Sequence, residues 1–302
     1  MKLTFHTLDV FTNRKFGGNP LAVVLGADAL TTEQMQTIAR EFNLSETIFV
    51  MAPDDPANTA KVRIFYPRGE MPFAGHPTVG CAILLASQKY KPGCSFQTEI
   101  RLEEVAGLVP VTVSRIGDAP HAQFTAPVIA VAADVAHPGA AAIAPALGLD
   151  VADLGFGTHV PRLLQGGTRC LMVPIASRAA LQRARPCEPH WSALLGPLGT
   201  DMAYLYTPGG DAPGTAFRAR MFAPTGGIPE DPATGSATAI LATQLLTAET
   251  LADGKHVWKL EQGYEMGRPS DLNLEADVAG GELKAVRVAG QAVQIMSGVL
   301  EL

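Results

Sequence analysis

Arg63-Ile64-Phe65-Tyr66-Pro67 returns as Arg220-Met221-Phe222-Ala223-Pro224, 157 residues further along the chain. Shortly after each copy, Pro72-Phe73-Ala74-Gly75-His76-Pro77-Thr78 is echoed by Pro232-Ala233-Thr234-Gly235-Ser236-Ala237-Thr238, at an offset of 160. Two matches in the same order, with nearly the same spacing, read as a duplicated half-chain, since half of 302 residues is 151. The difference between the offsets is three extra residues within 225–231 of the second copy. It sets two adjacent carboxylates, Glu230 and Asp231, just ahead of the second motif.

Each motif runs into an apolar segment, Val79–Ala86 and Ala239–Leu246, hydrophobic on nearly every side as a helix surrounded by protein would be. The rest of each half reads as short strands broken by Gly/Pro turns: 21–25, 47–51, 108–113, 171–174, 203–207 and 282–288. The expected architecture is α+β: two pseudo-symmetric domains, each a β-barrel-like sheet wrapped around a central buried helix. An amphipathic surface helix is expected over Thr32–Phe42, with Met35, Ile38, Ala39 and Phe42 on one stripe and Thr31/Gln34 as a capping box. The Ala/Pro-rich stretch 126–146 marks the junction. Domain boundaries of 1–125 and 126–288 follow, with a last strand near 289–302 returning to the first domain.

Composition narrows the function. A chain that is 47% hydrophobic and 17% charged has enough apolar surface for packed cores and is not disordered. Its net charge of −6, with no Lys/Arg cluster, argues against a nucleic-acid partner. The longest apolar runs, such as 126–133, are too short to cross a bilayer, and no secretory signal is read at the start; a cytoplasmic location is expected. Four cysteines without a C-x-x-C pair read as small reduced core residues. The nearest histidines, His121 and His137, lie too far apart in sequence for a local metal motif, so no metal is expected. Phosphate-loop, dinucleotide and hydrolase-elbow motifs are all missing, which points to a site that works without a cofactor.

The chemistry is expected at the starts of the two apolar helices. His76 and Ser236 occupy the places where N-caps belong, with Pro77 at the first helical position. Gly75 and Gly235 leave room for a ligand to approach the backbone. A buried helix start presents unpaired N–H groups and a partial positive charge, and needs either a cap or an anion. Two such starts, related by the repeat, are expected to face one shared pocket; the plainer alternative is two ordinary capped helices. Asp231, in a Pro-bounded loop, is either a carboxylate aimed into that pocket or a solvated turn residue. Glu46, just ahead of the apolar run Thr47–Val50, is either a partly desolvated carboxyl with a raised pKa, suited to accept and return a proton, or an exposed turn residue. His76 either hydrogen-bonds a substrate or only caps its helix. A racemase with paired thiols would need cysteines at the symmetric positions, which are Ala74 and Thr234; Cys81 reads as core packing.

The ordered set Phe16–Val24, Asn43–Thr47, Pro72–Thr78, Gly227–Ala237 and Gln262–Ser270 resembles the PhzF family of phenazine-biosynthesis isomerases, within the diaminopimelate-epimerase-like fold. The resemblance implies two similar barrel-plus-helix domains and commonly a homodimer. It implies Glu46 as the acid/base carboxylate, with His76 and Asp231 as its polar catalytic partners. Gly75, Gly235, Ser236 and Asn19 are implied as substrate-binding positions. In the phenazine enzyme of that family, a dihydro-hydroxyanthranilic acid is isomerised by moving a proton between ring carbons, with no cofactor. The expectation is therefore a PhzF-like, cofactor-independent isomerase of biosynthetic type, acting on a small carboxylic acid. The alternatives are a small-acid binding or interaction protein without turnover, and a two-base epimerase, which Ala74 and Thr234 disfavour.

Overall fold

The computed structural model describes residues 1–91, 93–115 and 119–302. It divides into two compact units, residues 1–127 with 288–302, and residues 128–287. The break at Pro127 falls inside the Ala/Pro-rich stretch, whose remainder is built into the second unit.

The first unit contains β1 (Lys2–Val10), β2 (Asn19–Leu25), α1 (Thr32–Phe42), β3 (Glu46–Met51), β4 (Ala60–Tyr66), β5 (Gly69–Met71), α2 (Gly75–Lys89), β6 (Phe96–Glu104), β7 (Gly107–Arg115) and β8 (His121–Thr125). The second contains β9 (Val131–Ala132), α3 (Ala140–Ala146), β10 (Arg162–Gly166), β11 (Thr168–Pro174), α4 (Arg178–Arg183), α5 (His190–Leu195), β12 (Ala203–Pro208), β13 (Thr215–Ala223), β14 (Ile228–Asp231), α6 (Gly235–Ala248), β15 (Gly254–Gln262) and β16 (Ser270–Ala279). A final strand, β17 (Glu282–Glu301), starts in the second unit and ends in the first. It joins into one strand the two segments expected from sequence, 282–288 and 289–302, and its later residues pair along the whole length of β1, from Lys2↔Glu301 to Val10↔Ala292.

In the first unit that pairing closes a ring. β1 pairs antiparallel with β2, β2 parallel with β3, β3 antiparallel with β4, β4 parallel with β6, β6 antiparallel with β7 and β7 antiparallel with β8. β8 and β1 both pair with β17. α2 packs against β1, β2, β3, β6, β7 and β8, so nearly every face of the helix meets a strand. That explains why its sequence lacks a polar stripe. Gly80 is required by this contact: a Cβ there would come within 2.6 Å of Leu21 Cδ2 and 2.7 Å of Val10 Cγ2. α1 lies outside this core, with Met35, Ile38 and Ala39 turned inward against Val24, Phe49 and Phe65. Its Thr31/Gln34 capping box forms as read from sequence, with reciprocal bonds of 2.9 and 3.2 Å.

The second unit repeats the strand order. β10–β11 antiparallel, β11–β12 parallel, β12–β13 antiparallel, β13–β15 parallel and β15–β16 antiparallel reproduce the sequence of pairings from β1 to β7. α6 packs on β10, β11 and β16. The repeat extends to side chains. Arg63 makes two parallel bonds to Glu70, at 2.7 and 2.6 Å, and Arg220 makes two to Glu230, both 2.8 Å. Each guanidinium also lies over the aromatic ring two residues on, Phe65 or Phe222. Arg220 alone reaches further in, donating to the carbonyls of Leu181, Gln182 and Ala184.

The two pairs therefore differ in what depends on them. Arg63→Ala leaves partly exposed groups to water and is expected to cost about 1 kcal/mol. Arg220→Ala leaves a half-buried carboxylate and three carbonyls without their donor and is expected to cost about 3–5 kcal/mol. Urea unfolding of the two variants checks this; equal costs would refute the distinction.

Candidate active site

The site in the first unit is built by three segments. The first is the loop from Phe11 to Gly18, which delivers Asn19. Phe11 and Phe16 both have left-handed backbones, φ 62 and 68. That conformation is costly for aromatic residues and persists only where neighbours hold it. The buried Asp9 carboxylate accepts the Phe16 N–H at 2.6 Å, and the Gln291 carbonyl accepts those of Phe11 and Thr12 at 2.7 and 3.2 Å. The second is the end of α1. Asn43 takes the left-handed C-cap (φ 51), and three residues later Glu46 begins β3. Because β2 and β3 are parallel and pair Leu21 with Glu46, the starts of both strands lie at one end of the sheet. The third is the first turn of α2, which carries His76.

These segments bring Asn19, Glu46 and His76 together in the protein interior, at 0%, 7% and 3% exposure. Asn19 Nδ2 donates to His76 Nδ1 at 3.2 Å, and Glu46 Oε2 lies 3.4 Å from the same nitrogen. A nitrogen that accepts from an amide carries no hydrogen, so the imidazole proton is on Nε2. Burial pulls the His76 pKa down to about 3, so the ring is neutral and its approach to Glu46 is not an ion pair. Nε2 is buried and has no hydrogen-bond partner among the described residues. An exposed Glu46, one of the two readings of the sequence, is ruled out by its burial.

The helix starts correct one expectation. His76 and Ser236 are not N-caps. α2 begins at Gly75 after Ala74, and α6 at Gly235 after Thr234, with the Thr78 and Thr238 N–H groups closing onto the Ala74 and Thr234 carbonyls at 3.3 and 2.9 Å. His76 and Ser236 are instead the second residues of their helices, and Pro77 is the third. Proline is tolerated there because the first-turn N–H groups have no intrahelical acceptor in any case. Neither helix start has a side-chain cap.

In the second unit the surroundings of Asp231 are set by two residues that sequence reasoning did not assign to the site. Gln262 Oε1 accepts the Thr234 N–H at 3.1 Å, which aims Gln262 Nε2 at the Asp231 carbonyl (2.8 Å) and at Thr234 Oγ1 (3.0 Å). Thr234 Oγ1, its lone pair thus engaged, donates to Asp231 Oδ2 at 2.5 Å. The chain of donors has one direction and ends on Asp231, holding that oxygen as an acceptor. Gly263 (φ +75) makes the approach possible: a Cβ would lie 2.6 Å from the Pro232 carbonyl. Glu230, next to Asp231, points the other way and is committed to Arg220. Gln262 lies in the quoted Gln262–Ser270 segment, but nothing local in the sequence ties it to a helix start 28 residues earlier.

Two further features bear on the chemistry. Cys81 is buried in α2 and its thiol is pushed up by that burial, so it stays protonated. Among the described residues, no group of three or more His, Cys, Asp or Glu is arranged to hold a metal ion, and no helix is long and apolar enough to cross a membrane.

The model of the phenazine biosynthesis-like PhzC-PhzF family matches residues 8–298. An uncharacterized isomerase of Mesorhizobium japonicum is 42% identical, over 97% of this chain and 96% of its own. The trans-2,3-dihydro-3-hydroxyanthranilate isomerase of Pseudomonas aeruginosa is 34% identical, over 96% of both chains. A solved PhzF-family structure from Bacillus anthracis superposes with a TM-score of 0.88 at 23% identity, covering all of both chains. With the motifs, the repeated pairing order and these relatives in agreement, the chain belongs to the PhzC-PhzF family of phenazine biosynthesis-like isomerases.

Proposed function

We propose that this isomerase moves a proton on a small carboxylic acid by general acid/base catalysis without a cofactor, with Glu46 as the group that takes the proton and returns it. The observation that carries this reading is the buried carboxyl of Glu46, 3.4 Å from a neutral imidazole. A proton can leave and rejoin such a carboxyl without breaking an ion pair. His76 serves as a donor: its unpartnered buried Nε2–H is a costly group unless an acceptor reaches it, and a substrate oxygen gathering negative charge is such an acceptor. Asn19 holds the ring in that tautomer. Asp231 acts as a fixed acceptor, and the first-turn N–H groups at Gly75, Gly235 and Ser236 take the substrate carboxylate. The dihydro-hydroxyanthranilate handled by the Pseudomonas relative is the first compound to try. A homodimeric, cytoplasmic enzyme is part of the same proposal.

The repeat argues against a two-base epimerase. In the second unit the residue matching Glu46 is Ala203: each starts a strand whose parallel neighbour contributes a leucine, Leu21 or Leu171. The position that matches Glu46 in the second unit therefore offers no carboxyl.

Two measurements test the proposal. In heavy water, the native enzyme is expected to incorporate deuterium into trans-2,3-dihydro-3-hydroxyanthranilate or related unsaturated acids. Glu46→Gln is expected to do so roughly 10²–10⁴-fold more slowly. Equal incorporation by both would reject Glu46, and acids that raise the melting temperature with no exchange at all would mark a binding protein. The second measurement is pH. An imidazole depressed from 6.5 to about 3 stabilises the fold above pH 6.5, a contribution lost as pH falls through that window. The stability of the native protein relative to His76→Gln is expected to decline from pH 6.5 towards pH 3, with no matching limb near pH 6.5 in the activity profile. A rate limb at pH 6–7 that vanishes in His76→Gln would mean that the ring titrates.

A further inference from the structure

Glu104, the last residue of β6, is a buried carboxyl that the mechanism above does not use. Its Oε1 lies 2.6 Å from Thr78 Oγ1, and the same Oγ1 lies 2.7 Å from the Ala74 carbonyl. A hydroxyl has one hydrogen, while both of these neighbours are acceptors if Glu104 is ionised. A helical threonine at this spacing donates to the carbonyl four residues back, and the Ala74 carbonyl has no hydrogen of its own to offer. The second short contact then requires a hydrogen from Glu104. Apart from the Thr78 hydroxyl, nothing nearby could favour the ionised form: among the described residues no ion pair involves Glu104, and the titratable group facing it is the protonated Cys81 thiol on α2. Glu104 Oε2 is buried without a hydrogen-bond partner, so an ionised carboxylate would have nothing to compensate its charge on that oxygen.

The repeat supplies an independent line. β6 and β15 are both nine-residue strands at the same place in the pairing order, and the residue that ends β15 is Gln262. That uncharged amide donates to Thr234, the N-cap of α6. The duplicated position is thus filled in one unit by glutamine and in the other by the acid of the same shape.

We infer that Glu104 is a neutral carboxylic acid that donates to Thr78 and braces the first turn of α2, making it a positioning residue for His76. Burial, which raises its pKa from 4.5 to about 8, agrees with this. The consequence for catalysis rests on the isomerase reading; the protonation state does not.

The folded protein then holds one proton more than the unfolded chain between pH 4.5 and about 8, so its stability falls as pH rises across that window. Glu104→Gln keeps the donor and cannot ionise. The melting temperature of Glu104→Gln relative to the native protein is expected to climb by at least about 2 °C between pH 5 and pH 8.5. A flat difference overturns the inference. In the exchange assay, the native rate is expected to fall above about pH 8, Glu104→Ala to be slow at every pH, and Glu104→Gln to restore the rate and hold it on the alkaline side. A folded Glu104→Gln more than tenfold slower than native at neutral pH would mean that an ionised carboxylate is needed, against the inference. If the native protein exchanges nothing, the isomerase reading fails while the melting data still decide the protonation of Glu104.

Discussion

A helix that begins inside a ring of strands has nowhere to send its first N–H groups. α2 is in that position, and much of the first unit answers it. The ring closes only because β17 returns to pair with both β1 and β8. Once closed, it excludes water from the helix start, and the polar groups that remain there must be satisfied by one another or by a ligand. Asn19, Glu46, His76, Thr78 and Glu104 are those groups. Their burial makes His76 neutral, and a neutral imidazole next to a carboxyl suits proton transfer better than an ion pair would.

The duplication separates frame from chemistry. Arg63–Glu70 and Arg220–Glu230 recur with the same geometry because each ties a central strand to the short strand beside it. Around the two helix starts the copies part. Met71 matches Asp231, His76 matches Ser236, Glu46 matches Ala203 and Glu104 matches Gln262. Identical copies would offer two of everything. The divergence leaves a buried carboxyl at Glu46 in one unit and, in the other, Asp231 as an acceptor held by Thr234.

Features set by near neighbours could be read directly from the residues. The Thr31/Gln34 box, the α1 stripe, the apolar character of α2 and the turn-bounded strands all come from spacings of a few residues. The repeat and the family motifs singled out Glu46, His76, Asn19 and Asp231, and the fold buries all four, three of them in one cluster. The caps were misjudged by two positions. Glycine after Ala74 or Thr234 can be read as the end of a strand or the start of a helix, and the neighbouring strands decide which. Adjacency in sequence also left open where Glu230 and Asp231 point, and the strand turns Glu230 towards Arg220.

By itself the sequence determined the family, the doubling of one α+β unit and the residue types able to carry a proton, because each is written in local periodicity or in motifs that repeat. Only the tertiary structure decided which tautomer His76 adopts, that Glu46 is buried, that Gln262 directs Asp231, and that Glu104 shares Thr78 with a backbone carbonyl. These are matters of which polar atoms meet once water is gone, and the atoms that meet come from segments far apart in the chain.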